Sequence, residues 1–314
     1  MNKSTKIWRN YIPGILLSAL LLYLLWRQAS RQLAAAGPAA WQEHAANGWL
    51  AAGLLLLPVN LGLEVWKWRL LARAAMPVSW REAVGSYLAG LAFSVITPNR
   101  IGEYPGRLLY LRKKNTPRLV SVSVLGMFAQ LSAVMIFGIA GLVYYNIAFP
   151  GLWQQAALAG TLTVTVVLVL LYLRFESWAP LLENIRWLRR FRVYTRLLQR
   201  FTARRQLVIL LLSLLRFLVF TAQYLTLLHW MQVSFPLADG FFMAVLFFWV
   251  MAVIPSVALA ELGIRGHVSL ALFGAFSGNV IGIMAATALL WCVNLVLPGT
   301  VGSVLWMRRR RRGR

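Results

Sequence analysis

Two acid–base pairs sit in sequence that is otherwise apolar. The first lies in residues 97–110, TPNRIGEYPGRLLY, where Glu103 precedes Arg107 by four. The second lies in PSVALAELGIRG, where Glu261 precedes Arg265 by four. In each case a proline stands five or six residues before the Glu (Pro98, Pro255) and glycines flank the pair (Gly102 and Gly106; Gly263 and Gly266). A Glu and an Arg four apart face each other on a helix and can pair. Pairing offsets the cost of a charge in a bilayer, about 2.5–3.5 kcal/mol at a helix centre on insertion scales. It also leaves guanidinium donors free for a phosphate. Pro98, Gly102, Pro105, Gly106, Pro255, Gly263 and Gly266 are expected to break the helices, exposing backbone N–H groups that favour an anion. One reading makes Arg107, Arg265, Glu103 and Glu261 contacts to an anionic guest. The other makes both pairs staples that lock the broken backbone. Arg100 belongs with them as a further contact or as a loop charge at the interface.

Composition says where these pairs reside. Of 314 residues, 60% are hydrophobic and 13% charged. A typical soluble domain is about 45–50% apolar and about 25% charged. Several runs approach the roughly 20 apolar residues that a membrane helix needs. The chain therefore reads as an all-α polytopic membrane protein, with no separate soluble domain. Its net charge of +24 does not call for nucleic acid, because the basic residues lie between apolar runs, as the positive-inside rule expects. A single cysteine, Cys292, excludes a disulfide framework and a Cys-based zinc site. His44, His229 and His267 lack metal-ligand spacing, and no metal or cofactor is expected. Nor does a phosphate loop, nucleophile elbow or paired-Asp cluster mark an enzyme.

Spans are expected over about 11–26, 46–66, 120–147, 153–173, 207–228 and 280–306. Residues 11–26 are read as a retained span, not a cleaved leader, because the topology requires them. The connections 67–81, 98–118 and 174–206 are basic, and the chain ends RRRRRGR. Residues 148–152 carry no charge, and 229–240 hold one Asp and no Lys or Arg. With basic segments inside, 83–112 must enter from the cytoplasm and return to it, while 241–277 must enter from the opposite side and return there. Each half, 1–150 and 151–314, then reads span, span, re-entrant hairpin, span. The result is six full spans plus two re-entrant hairpins in an inverted repeat, with both termini cytoplasmic. Irregular backbone at membrane depth is tolerated where it is buried in protein or lines a wet cavity, and transporters place a site there.

Other polar residues have ordinary readings beside sharper ones. Glu64, near the end of the second span and beside Lys67, reads as an interfacial pair before a proton carrier. Arg216, about a third of the way along its span, either snorkels or faces a cavity. Gln130 and Asn294 suit hydrogen bonds between helices, and Asp239 suits a helix N-cap. Eight arginines between 186 and 205 alternate with Trp187, Phe191, Tyr194, Leu198 and Phe201. That pattern describes a basic amphipathic helix on the inner leaflet, able to gather anionic lipid.

TPNRIGEYPGRLLYL and IPSVALAELGIRG resemble the two loops of the membrane-embedded, flippase-like domain of lysylphosphatidylglycerol synthases and its stand-alone relatives. The likeness extends over about 11–306. Many members have a Gly pair where this chain has Asn99-Arg100, and a Glu where it has Gly266. The resemblance implies two re-entrant hairpins in pseudo-symmetric halves and lipid translocation between leaflets. It implicates Pro98, Gly102, Glu103, Arg107, Glu261, Gly263 and Arg265. The soluble aminoacyl-transferase domain is absent, so lysyl transfer is not expected. The expectation is a bacterial inner-membrane flippase for an anionic phospholipid or a polyprenyl-phosphate-type lipid. The alternative is a non-transporting lipid-binding subunit that recruits a glycosyltransferase or another envelope-synthesis enzyme, docked on 174–206. The lipid, the direction, the energy source and the oligomeric state are left open.

Overall fold

The computed structural model describes residues 48–95, 97, 102–111, 116–174, 201–254 and 258–312. These form α1 (Trp49–Ala75), α2 (Trp80–Val95), α3 (Glu103–Leu111), α4 (Thr116–Ala148), α5 (Leu152–Leu173), α6 (Ala203–Trp230), α7 (Leu237–Val253), α8 (Ala258–Phe273), α9 (Val280–Trp291), a π-helical turn (Cys292–Val296) and α10 (Leu297–Arg312). Among the described residues there is no strand.

Five stretches are long and apolar enough to cross a membrane: Trp49–Ala75, Arg118–Ala148, Leu152–Leu173, Ala203–Trp230 and Val280–Arg309. They fall on five of the six expected spans. The remaining one, 11–26, lies outside the described residues, as do Pro98, Arg100, Pro255, His44 and 175–200 of the basic segment. The chain is thus an all-α polytopic membrane protein. Leu162, Val166, Val167 and Leu170 of α5 are exposed, as expected for a helix bathed in lipid.

Several expected boundaries move. α1 continues through Lys67, Arg69 and Arg73, where the sequence suggests a basic loop. It stops at Pro77, whose ring forces the preceding residue out of the helical region; Met76 is extended at φ −166°, ψ 156°. Residues 203–206, assigned to the surface segment, instead form the first turn of α6, capped by Thr202 Oγ1 accepting from Arg205 N–H. Asp239 is not an N-cap. Pro236 holds that position, and Asp239 lies in the first turn of α7, where its carboxylate accepts from Tyr144 Oη.

The expected helix breakers also divide. The first break precedes Glu103: Thr97 Oγ1 donates to Phe93 O at the end of α2 and accepts from Gly102 N–H. Pro105 and Gly106 lie inside α3, Pro105 in a first turn whose N–H groups need no intrahelical acceptor. Gly263 and Gly266 lie inside α8. None of the four breaks its helix. Gly106 serves packing instead: a Cβ there would come 2.9 Å from Ala89 O and Gly90 Cα, and a Cβ on Gly90 would come 2.6 Å from Glu103 O. The two glycines let α2 and α3 approach backbone to backbone.

This pair starts and finishes at one end of the molecule. Arg309, late in α10, reaches Glu82 at the start of α2 (3.8 Å) and lies 4.4 Å over the Tyr110 ring at the end of α3. The α7–α8 pair starts and finishes at the other end, where Phe273 packs on Phe235. The ends differ in charge. Tyr172 Oη donates to Gln206 O, joining the end of α5 to the start of α6, so Arg174, Arg204 and Arg205 collect at the same end as Arg69, Arg73 and Arg309. Among the described residues the other end carries Asp239 and no Lys or Arg. One apolar core holds Trp68, Tyr87, Leu119 and Leu125; a second holds Tyr224, Phe247, Phe273 and Leu290.

Gly90→Leu is expected to lower stability by about 1–3 kcal/mol through overpacking, read as unfolding of the purified protein in detergent. Gly62→Ala is the matched control. Apart from its own helix backbone, no atom lies within 4 Å of the added Cβ, and its stability should stay level or rise.

Candidate functional site

A cavity of about 200 Å³ lies between the two cores, and its wall comes from both halves of the chain. α1 supplies Asn60, Glu64, Lys67 and Trp68. α2 and α3 supply Tyr87, Glu103, Tyr104 and Arg107. α4 supplies Gln130, α6 Arg216, α8 Arg265, and α9 with its π turn Trp291 and Asn294. Among the described side chains, four cations and two carboxylates therefore face one space.

Glu64 is the hub. Its Oε1 accepts from Arg107 Nη2 at 3.1 Å, and its Oε2 lies 2.6 Å from Lys67 Nζ and 3.2 Å from Arg216 Nη1. Only 7% of its side chain is exposed. The expected pairing with Lys67 is present, but in a different setting: this carboxylate is buried inside the protein and joins three cations from three helices. Lys67 is equally buried, with 3% of its side chain exposed, and donates to Gln130 Oε1 at 3.0 Å. Lys67 falls three residues after Glu64, so both project from one face of α1.

Arg107 pairs with Glu103 across one helical turn and reaches Glu64 with the same nitrogen, Nη2. Its guanidinium sits 5.0 Å over Trp68 and 4.9 Å over Tyr87, the cation–π geometry that helps hold a desolvated cation. Trp68 is fixed by its Nε1–H donating to Ser86 Oγ at 2.6 Å. Arg107 Nε is buried without a hydrogen-bond partner, and so is Trp291 Nε1 in the same wall.

Arg216 faces the cavity, which resolves the two readings left open for it. Its Nη1 donates to Gln130 Oε1 at 3.0 Å and its Nε to Asn60 Oδ1 at 3.1 Å. The chain of amides continues: Asn60 Nδ2 donates to Asn294 Oδ1 (2.8 Å), Asn294 Nδ2 to Gln223 Oε1 (3.0 Å) and Gln223 Nε2 to Gly53 O (2.9 Å). Gln130 and Asn294 do bond between helices, as expected. Asn294 sits in the π-helical turn, a distortion frequent at functional sites.

Of the predicted site residues, Glu103, Arg107, Arg216 and Arg265 share this cavity. Arg265 is buried at 9% exposure. Glu261 lies on α8, its side chain outside the described residues. Sequence reasoning did not assign Lys67, Asn60, Tyr87 or Tyr104 to the site. The i,i+3 spacing of Glu64 and Lys67 was the available signal, but it equally suits an interfacial pair. Among the described residues no group of His, Cys, Asp and Glu could hold a metal ion.

The fold and the cavity define a polytopic helical membrane protein with a charged chamber between its helices. The model of the lysylphosphatidylglycerol synthase TM region matches residues 11–302, and the chain belongs to that family. Neither the curated proteins nor the solved structures hold a match to it.

Lys67→Met is expected to cost about 3–5 kcal/mol, the penalty for breaking a buried ion pair. Arg73→Met, on the exposed end of the same helix, should fall within about 0.5 kcal/mol of wild type. Denaturant unfolding of both variants in one detergent checks the contrast.

Proposed function

We propose that the protein moves an anionic, phosphate-bearing lipid between the leaflets of a bacterial inner membrane. One observation carries this reading: Arg107, from the first motif, and Arg265, from the second, line one cavity together with Lys67 and Arg216. Cations inside a membrane protein are costly and mark substrate paths. A cluster of buried guanidinium and ammonium groups that includes one arginine from each motif suits a phosphate guest. The buried donors Arg107 Nε and Trp291 Nε1 supply hydrogen bonds that no described protein group takes up.

The size of the cavity narrows the guest. At about 30 Å³ per water in the liquid, 200 Å³ corresponds to roughly seven waters. A phosphate with a small substituent fits that space, whereas a phosphate carrying several sugars does not. The acyl or prenyl tails would stay in lipid while the head group crosses.

In this reading α2–α3 and α7–α8 are the two re-entrant hairpins, entering from opposite leaflets, and the halves 1–150 and 151–314 form an inverted repeat. The charge difference between the two ends supports placing Arg69, Arg73, Arg174, Arg204, Arg205 and Arg309, and both termini, in the cytoplasm. No chemical step is assigned, and the protein acts as a transporter without catalysis.

Reconstituted into liposomes with a leaflet-specific fluorescent reporter, wild type should accelerate movement of phosphatidylglycerol or a polyprenyl phosphate over phosphatidylcholine. Arg107→Ala and Arg265→Ala should each slow it at least about tenfold, the effect of roughly 1.4 kcal/mol. If wild type binds these lipids and moves none, it is a lipid-holding subunit for an envelope-synthesis enzyme.

A further inference from the structure

Glu64 is bound the way a substrate phosphate would be. Two oxygens of one anion face Lys67, Arg107 and Arg216, at 2.6, 3.1 and 3.2 Å. A phosphate presents the same feature, oxygens that take cations from several sides. Lys67, Arg107 and Arg216 are thus already engaged by a carboxylate belonging to the protein. Glu103 differs: it contacts Arg107 across one turn of the same helix, and 19% of its side chain is exposed.

The buried cations need such a resident anion. Lys67 and Arg107 have 3% and 4% of their side chains exposed, and desolvated cations without a counter-ion carry a penalty of several kcal/mol each. A guest phosphate that binds the same cations must share them with Glu64 or displace it.

We propose that Glu64 is an internal stand-in for the lipid phosphate, and that exchange of the cations between Glu64 and the phosphate sets the release step of transport. The proposal rests on the anionic-lipid reading above. Glu64 holds Lys67, Arg107 and Arg216 in place. An arriving phosphate takes them over, helped by the free donors Arg107 Nε and Trp291 Nε1. As the lipid departs, the cations fall back on Glu64, which lowers the cost of losing the guest. The carboxylate therefore weakens binding and speeds turnover.

Glu64→Gln keeps the shape and removes the charge. Binding of phosphatidylglycerol to the detergent-purified protein should tighten about tenfold, roughly 1.4 kcal/mol, while the maximal transport rate in liposomes falls. Without anionic lipid the variant should melt below wild type, and added phosphatidylglycerol should raise its melting temperature by more than it raises that of wild type. Glu64→Asp, which keeps the charge, should respond as wild type does. If Glu64→Gln cannot be purified in neutral lipid, including phosphatidylglycerol during extraction should recover it.

The proposal is overturned if Glu64→Gln gains no more from phosphatidylglycerol than wild type, in melting or in recovery, since a merely structural ion pair predicts loss without rescue by an anion. That result beside a transporting wild type removes this proposal alone. Tighter binding in Glu64→Gln beside a wild type that transports nothing removes the transport reading and, with it, the release step, leaving Glu64 as an anion surrogate only.

Discussion

A guanidinium or an ammonium buried in a membrane protein must be neutralised by its neighbours, and that demand organises the centre of this molecule. Arg107, Lys67 and Arg216 come from three separate helices and converge on the single carboxylate of Glu64. Moving α1 or α6 would take Arg216 away from Glu64, and moving α3 would leave Arg107 with Glu103 alone. The apolar cores on either side can be repacked with modest penalties, whereas the charge cluster tolerates little displacement. The surrounding amides serve the same end: Gln130 bridges Lys67 and Arg216, and Asn60 links Arg216 to Asn294.

The helical framework is arranged to bring these groups together. α1 presents Asn60, Glu64 and Lys67 on one face. The glycine contact between α2 and α3 carries Arg107 inward, onto a shelf made by Trp68 and Tyr87. α8 brings Arg265 from the second half. Its position is steadied by a closed set of buried hydroxyls, in which Ser269, one turn beyond Arg265, meets Tyr224 and Thr287 at 2.6 and 2.9 Å. The cavity is thus a product of both halves, and neither motif alone would form it.

Much of this was legible in the sequence, for identifiable reasons. Long apolar runs report spans because a bilayer imposes a minimum length, and five of the expected spans coincide with long apolar helices. The Glu103–Arg107 pair follows from helical spacing alone. The charge of Lys67, in contrast, misled: a lysine at the end of an apolar run reads as the start of a basic loop. What keeps it inside is Glu64 one turn earlier together with Gln130, which is 63 positions away in sequence. The same holds for Glu64, whose partners Arg107 and Arg216 lie on other helices. Local spacing shows which charges can pair, but not which distant charges share a chamber. Glycines were also misjudged. Gly106, Gly263 and Gly266 were read as breakers, because a glycine in sequence does not distinguish a turn from a close helix contact. The surroundings of Gly106 identify it as the latter.

The most direct test of the account is a structure determined by electron microscopy in nanodiscs containing phosphatidylglycerol. The account predicts a phosphate within hydrogen-bonding distance of Arg107 and Arg265, inside the cavity bordered by Glu64 and Asn294. Density for the phosphate only at the basic end, beside Arg69 and Arg73, with the central cavity closed around its own ion pairs, would contradict it.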